Sequence, residues 1–516
     1  MMKSSMNRRE FFGAVAAASA ALAPRALSSP IGGPAAATAD RPSKPNIILI
    51  MADDLGYAGL GCYGQKLIQT PHIDRMAGEG LRFTDFYSAN TVCVPSRVGL
   101  LTGRHPGHAS IRDNNMPHLP DYSGYMTAWP KELWPPRVKT MGRLLRDAGY
   151  KTAQFGKLEA GIPMAPGKMA EHGWDTWFGF RATGAAFQYY PLELWRNEER
   201  IVYEANRAED VRRPGIVGDK GVYSEDLFVE EILRFIRETK DSPFFIYFPT
   251  QVPHGRSPQD GDEIQLPDLG PYADRDWTHL EKLYAAMLTR FDGHVGRILR
   301  QLKDSGLEEN TIVILTSDNG DENSYYKYTK RFEATGPLRG KKRFLYEGGI
   351  RVPLIARGPG RIRQGQTSGL PCAGWDIVAT LAELGGIEPP AHTDGISIAP
   401  TLLGRPDRQK RHEYLYWEHH MGKQQAVRMG NWKAVRFGGT QEPIELYDLA
   451  RDIGETSDQA GGHPEIVARM DEIMRRAREN SEFTAFWPLP EHRLNQVKWD
   501  KWIFDQLEKG IDWDKH

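Results

Sequence analysis

The chain has 516 residues, 40% hydrophobic and 26% charged, with a formal net charge of -1. That length accommodates two or more domains, or one large α/β domain with additions. The near-neutral balance and the lack of a long basic run leave nucleic-acid binding without an electrostatic footprint. The three cysteines, Cys62, Cys93 and Cys372, are too few for a disulfide framework, although pairing of Cys62 with Cys372 is left open.

Residues 1–43 read as a leader outside the fold. Asn7-Arg8-Arg9-Glu10-Phe11-Phe12 precedes an apolar run from Gly13 to Ala23, with small residues beyond it. The paired arginines resemble a twin-arginine export signal. The apolar run is too short for a comfortable membrane span, so no stable span is expected after signal removal. The implied location is the bacterial periplasm or outside; the alternative is an uncleaved N-terminal tether.

The first predicted strand, Asn46–Ala52, is continuously apolar, as expected of a strand covered on both faces. It ends in Asp53-Asp54, two adjacent carboxylates that repel unless a cation or donors intervene. They read as hard oxygen ligands for a divalent metal, or as a helix cap or turn. Next, in Thr91–Arg104, Cys93 stands two residues before Pro95, a residue suited to the first turn of a helix. Cys93 therefore falls at or just before a helix N-terminus, where an anion is favoured, and Arg97 lies one turn on. The bland alternative makes Cys93 a small buried hydrophobe.

Three further strands end in polar chemistry. Thr152–Gly156 runs into Lys157, Phe244–Phe248 into Pro249 and then His254, and Thr311–Ser317 into Asp318-Asn319-Gly320. Taken singly, each is a solvated turn or a satisfied histidine; the repetition at strand C-termini, where open α/β sheets bind ligands, is the argument. Amphipathic helices are predicted over Thr140–Ala148, Ser224–Lys240 and Glu281–Lys303. The alternation predicts a mostly parallel central sheet flanked by helices over residues 44–408. Met116–Pro136, Arg181–Lys220 and Arg256–Asp276 read as long loops rimming a site. After Gly404 come four short strands, Tyr414–Glu418, Gln424–Met429, Trp432–Arg436 and Ile444–Asp448, then a helix over Pro464–Glu479, defining a unit of residues 409–480. The tail, residues 481–516, carries Trp487, Trp499, Trp502 and Trp513 and is expected to dock on the body.

Cys93-Val94-Pro95-Ser96-Arg97, continuing to Leu101-Thr102-Gly103-Arg104, resembles the signature of the type I, formylglycine-dependent sulfatases of the alkaline-phosphatase-like superfamily. The resemblance covers Lys44 to Glu479. It implies a large alkaline-phosphatase-like domain and a small C-terminal subdomain with an antiparallel sheet and a helix. It also implies that a formylglycine-generating system oxidises Cys93 to an aldehyde. The metal ligands would be Asp53, Asp54, Asp318 and Asn319, joined by the oxidised Cys93. An all-oxygen set suits Ca2+, with Mg2+ second.

Arg97, Lys157 and Lys342 would hold the sulfate; Lys342 lies in Gly340-Lys341-Lys342-Arg343-Phe344-Leu345-Tyr346-Glu347-Gly348-Gly349, which is similar to a second family pattern. His254 would protonate the leaving oxygen. One hydroxyl of the hydrated aldehyde would attack sulfur, and the second would expel sulfate by elimination. One position departs from the pattern: the family reads Gly-Lys-Trp-His where this chain reads Gly156-Lys157-Leu158-Glu159. Glu159 is expected to replace that histidine as a base. The implied activity is hydrolysis of a sulfate monoester, carbohydrate or aryl, with a sulfated small molecule or oligosaccharide as partner; Arg256 and Arg331 tilt the reading toward carbohydrate. The alternatives are a phosphonate monoester or phosphodiester hydrolase using the same site, and a non-catalytic sulfated-polysaccharide-binding protein.

Overall fold

The computed structural model describes residues 44–114, 138–157, 168–181, 186, 188–255, 264–322, 329–419 and 423–479. The predicted leader, Glu159, Arg256 and the tryptophan-bearing tail lie outside the described residues.

The large sheet has ten strands: β1 (Asn46–Ala52), β2 (Leu81–Phe83), β3 (Lys151–Gly156), β4 (Thr176–Gly179), β5 (Glu193–Arg196), β6 (Glu199–Val202), β7 (Phe244–Pro249), β8 (Thr311–Ser317), β9 (Leu354–Arg357) and β10 (Gln366–Ser368). Their order is β10-β2-β9-β8-β1-β7-β3-β4-β5-β6. The middle five, β8-β1-β7-β3-β4, are all parallel, and antiparallel pairs flank them on both sides.

Every residue of β1 is buried, and its side chains alternate between two cores. Ile48, Ile50 and Ala52 enter one, with helices α1 (Pro71–Gly78), α4 (Ser224–Glu238) and α5 (His279–Asp304). Ile47, Leu49 and Met51 enter the other, with α2 (Cys93–Thr102), α3 (Met141–Asp147) and α7 (Asp376–Leu384). A period-two strand buried on both faces must be apolar throughout, which is why it reads as an unbroken run. A short helix, α6 (Glu347–Ile350), lies between β8 and β9 in sequence.

Register is what builds the site. Ala52 of β1 pairs with Ser317 of β8, and Met51 pairs with Pro249 of β7. The chain therefore leaves three neighbouring strands at one level, carrying Asp53, Asp318 and the segment leading to His254 to the same sheet edge.

One expectation is corrected. Arg181–Lys220 is not one long loop: Glu193–Arg196 and Glu199–Val202 form a hairpin that extends the sheet. Its turn passes through Asn197 at φ 51, a left-handed value that asparagine tolerates. These strands form the sheet's edge and carry charges, including a cross-strand Glu193–Arg200 pair. Edge strands need little apolar alternation, so the usual strand pattern was missing. Cys62 and Cys372 are both free thiols. Among the described residues no helix is long and apolar enough to cross a membrane.

The small C-terminal sheet is antiparallel, β11 (Leu415–His419) to β12 (Gln424–Met429) to β13 (Trp432–Phe437) to β14 (Ile444–Asp448). One face packs Trp417, Ala426 and Val435 on Tyr87, Tyr346 and Trp375 of the large domain. The other packs Tyr416, Val427 and Leu446 under helix α8 (Pro464–Arg476) through Met470, Ile473 and Met474.

Candidate active site

Asp53 and Asp54 follow β1 directly. Asp54 has φ 67, an uncommon left-handed value for a non-glycine residue. Hydrogen bonds over-determine it. The Asp53 N–H donates to Val252 O (2.9 Å), the Asp54 N–H to Asp318 Oδ1 (3.1 Å) and the Leu55 N–H to Ser317 Oγ (2.9 Å). Asn319 Nδ2 donates to Asp54 Oδ1 (2.7 Å). Four oxygen-bearing side chains from two strand ends thus converge in a buried cluster.

The loop after Asn319 is seated by glycines. A Cβ on Gly320 would lie 1.9 Å from Gly348 O, and the Gly320 N–H donates to Gly349 O (3.0 Å). Glu347, beside those glycines, does not join the cluster. Its buried carboxylate accepts from Tyr87 Oη (2.9 Å) and pairs with Arg351 (3.1 Å) and with Lys433 (2.9 Å) of β13.

Cations surround the carboxylates. Lys157, just past β3, donates to Asp53 Oδ2 (2.6 Å). Arg97 donates to Asp318 Oδ2 through Nε (3.0 Å) and Nη2 (2.8 Å), with Nη2 3.5 Å from Asp53 Oδ2. Lys342 Nζ reaches Asp54 Oδ2 (2.7 Å) and Glu322 Oε2 (2.8 Å). His254 Nε2 lies 3.5 Å from Asp54 Oδ2 and 3.7 Å from Glu322 Oε2, while Nδ1 is bonded to the Gly255 carbonyl. That carbonyl can only accept, so Nδ1 carries a hydrogen and Nε2 faces the site.

Cys93 is the first residue of α2 and is buried. Its Sγ accepts from Asn114 Nδ2 (3.3 Å), and Asn114 Oδ1 accepts from the Val94 N–H (3.0 Å). A charge on Cys93 would act on both Arg97 and Lys342, so the signature helix opens onto the cluster.

Electrostatically the cluster is short of positive charge. Burial raises the cost of charging Asp53, but Lys157 and Arg97 outweigh it and hold the group well below the usual carboxylate range. Burial, reinforced by Glu322, Asp53 and Asp318, lifts Asp54 well above that range despite Lys342. Burial and the Asp53 charge push Asp318 up to about 6. Burial and Lys342 push His254 down to about 4. Among the described residues, the buried oxygens Asp53 Oδ1 and Asn319 Oδ1 have no hydrogen-bond partner. Asp53, Asp54 and His254 each offer a ligand atom within 4.8 Å of the others. Orphaned hard oxygens among under-compensated carboxylates fit a divalent cation, and the donor type fits Ca2+ or Mg2+.

The structure brings Asp53, Asp54, Cys93, Arg97, Lys157, His254, Asp318, Asn319 and Lys342 together; Glu159 is outside the described residues. Two members were missed by sequence reading. Glu322 continues the acidic run Asp321-Glu322 after the Asp318 loop, a signal that was available. Asn114 sits in an irregular segment with no local signal.

Parallel strands that carry carboxylates and cations to one edge, beside a helix that begins at a buried cysteine, define an alkaline-phosphatase-like hydrolase architecture. The Sulfatase family model matches residues 45–387, and the model described as N-sulphoglucosamine sulphohydrolase, C-terminal, matches residues 340–480. Human arylsulfatase A is 29% identical over 486 residues, covering 86% of this chain and 90% of that protein. N-acetylgalactosamine-6-sulfatase of Mus musculus is 32% identical over 380 residues, covering 71% and 67%. The solved structure of Ps i-CgsB superposes with a TM-score of 0.70 at 26% identity, covering 90% of this chain and 99% of that one. The chain belongs to the sulfatase family. It is a sulfuric ester hydrolase.

Proposed function

We propose that this enzyme cleaves a sulfate monoester of a carbohydrate through a formylglycine made from Cys93, at a site holding Ca2+, with Mg2+ as second choice. The observation that carries this reading is the convergence beside the Cys93 helix of two buried oxygens unpartnered among the described residues, three cations and a histidine. Asp53, Asp54, Asp318 and Asn319 would hold the ion, which when bound would neutralise carboxylate charge and polarise the sulfate.

The chain's own groups supply the remaining work. Arg97, buried and fixed by Asp318, presents a preorganised positive charge one helical turn from residue 93. Lys157 and Lys342 approach from the ends of two other segments and complete a cradle for a tetrahedral anion. Groups held this rigidly need no reorganisation as charge develops on the sulfate oxygens. His254, with Nδ1 anchored and Nε2 facing the cluster, would deliver a proton to the leaving oxygen from its doubly protonated form, which a sulfate anion bound beside it would favour. The hydrated aldehyde would supply two hydroxyls, one for attack and one for release. Glu159 would take the proton that permits release.

Carbohydrate is favoured over a small aryl alcohol because a relative is named for N-acetylgalactosamine 6-sulfate. The leader, Asn7 to Ala23, supports export to the periplasm or beyond. The test has two parts. Mass measurement of the peptide bearing Cys93 in the exported protein should show loss of the thiol in favour of aldehyde or its hydrate; an intact thiol would refute the nucleophile. Rates on an aryl sulfate should exceed those on an aryl phosphate diester; the reverse order would favour the phosphorus-ester reading.

A further inference from the structure

The ion pairs at the site continue outward in a line. Lys342 Nζ, on a side chain 3% exposed, reaches Glu322 Oε2 (2.8 Å) on a side chain 6% exposed. The other oxygen, Glu322 Oε1, forms an ion pair with Arg343 Nη1 at 2.6 Å, and the Arg343 side chain is 40% exposed. The two oxygens of one Glu322 carboxylate thus face both cations.

The backbone at Arg343 is anomalous. Its φ is 77, in the left-handed region that favours glycine. Its N–H donates to Thr91 O (3.1 Å), two residues before Cys93, so the turn is stitched to the signature segment. Strained non-glycine residues persist where their surroundings over-determine them, and they gather at ligand-binding sites. Glycine would satisfy this backbone but bring no charge. An arginine held there by Thr91 and Glu322, at the exposed end of a line of buried ion pairs, is placed to meet whatever enters.

We propose that Arg343 is a specificity-determining residue that pairs with a second anionic group, a sulfate or carboxylate, on the same saccharide as the scissile sulfate. This rests on the reading of sulfated carbohydrate as the substrate class. Arg97, Lys157 and Lys342 are the cations assigned above to the scissile sulfate, which leaves Arg343 for another group. Lys342 and Arg343 share the one Glu322 carboxylate, so the Arg343 cation stands beside the first anion's cradle, within reach of a second anion on the same sugar ring. Its planar guanidinium suits bidentate capture of sulfate or carboxylate better than a lysine ammonium does.

The test is binding to full-length protein carrying Cys93→Ala, which cannot turn substrate over. Calorimetric titration compares D-glucosamine 2-N,6-O-disulfate with N-acetyl-D-glucosamine 6-O-sulfate, with Arg343 intact and with Arg343→Gly, Arg343→Gln or Arg343→Lys. Arg343→Gly relieves the backbone and keeps a folded reference, checked by an unchanged melting temperature. The expected result is at least a tenfold preference for the disulfate with Arg343 intact, about 1.4 kcal/mol. That preference should be abolished in the Gly and Gln variants and partly kept in Lys. A preference unchanged in the Gly variant would overturn the proposal. An equal loss for both ligands would also overturn it, because Arg343 would then act only through Glu322 and Lys342. Failure of both saccharides to bind, while unsubstituted enzyme still cleaves an aryl sulfate, would remove the carbohydrate reading itself and this proposal with it.

Discussion

Lys433 offers a quantitative test of how the small sheet supports the site. Its Nζ lies 2.9 Å from Glu347 and 2.9 Å from Glu455, and all three side chains are 0% exposed. Replacement by methionine keeps volume and removes the charge. Glu347 would retain Arg351 at 3.1 Å, but Glu455 would lose this cation. Breaking a buried pair by deleting one partner costs roughly 3–5 kcal/mol when the orphan stays charged. Burial, opposed by Lys433 and reinforced by Glu347, already pushes Glu455 up to about 7. In Lys433→Met that group will bind a proton more readily still, which lowers the cost to about 2–3 kcal/mol near neutrality.

The sign follows from linkage. A carboxylate whose folded-state pKa is raised above its unfolded value near 4.5 makes the folded state bind more protons. Stability is then lost as pH rises from the unfolded pKa toward the folded one. In the variant, without the Lys433 charge, the folded-state value is higher still, so the loss continues to higher pH. Denaturant unfolding at pH 6 and pH 8 should show the variant more destabilised at pH 8. A deficit under about 1 kcal/mol, or a larger deficit at pH 6, would refute the assignment of Lys433 as the essential counter-charge.

The other predictions concern the site directly. Stripping divalent ions with a chelator should lower the melting temperature, and Ca2+ or Mg2+ at 100 times its dissociation constant should restore about 2.7 kcal/mol of stability, read by thermal unfolding. Identical melting with and without ion would exclude a bound cation. Gly320→Ala would put a methyl 1.9 Å from Gly348 O. The Asn319 loop would have to move by about 1 Å, and turnover should fall on the order of a hundredfold, while a fall under threefold would show that the glycine contact is not needed. Glu159→Gln should slow turnover and let a sulfated enzyme accumulate, visible by intact mass; unchanged kinetics would remove Glu159 from the mechanism.

Much of this protein is determined by local patterns. The strands Asn46–Ala52, Phe244–Pro249 and Thr311–Ser317 are legible because parallel strands buried on both faces must be apolar throughout. The polar residues ending them are legible because chemistry interrupts those runs at the edge where ligands bind. The signature from Cys93 to Arg104 is contiguous, so its helix needs no long-range information. Other features exist only after strands are paired in register. The Glu193–Val202 hairpin takes its place from the sheet edge it extends, not from its own alternation. Glu347 looks in sequence like a neighbour of Lys342, yet its carboxylate turns to Lys433 of the small sheet, 86 residues on. Asn114 meets Cys93, and Glu322 meets Lys342 and Arg343, through contacts no local spacing encodes. Sequence determines which side chains can carry charge or an apolar face. Register and packing decide which of them meet, because buried charges find partners wherever the fold brings one within hydrogen-bonding distance.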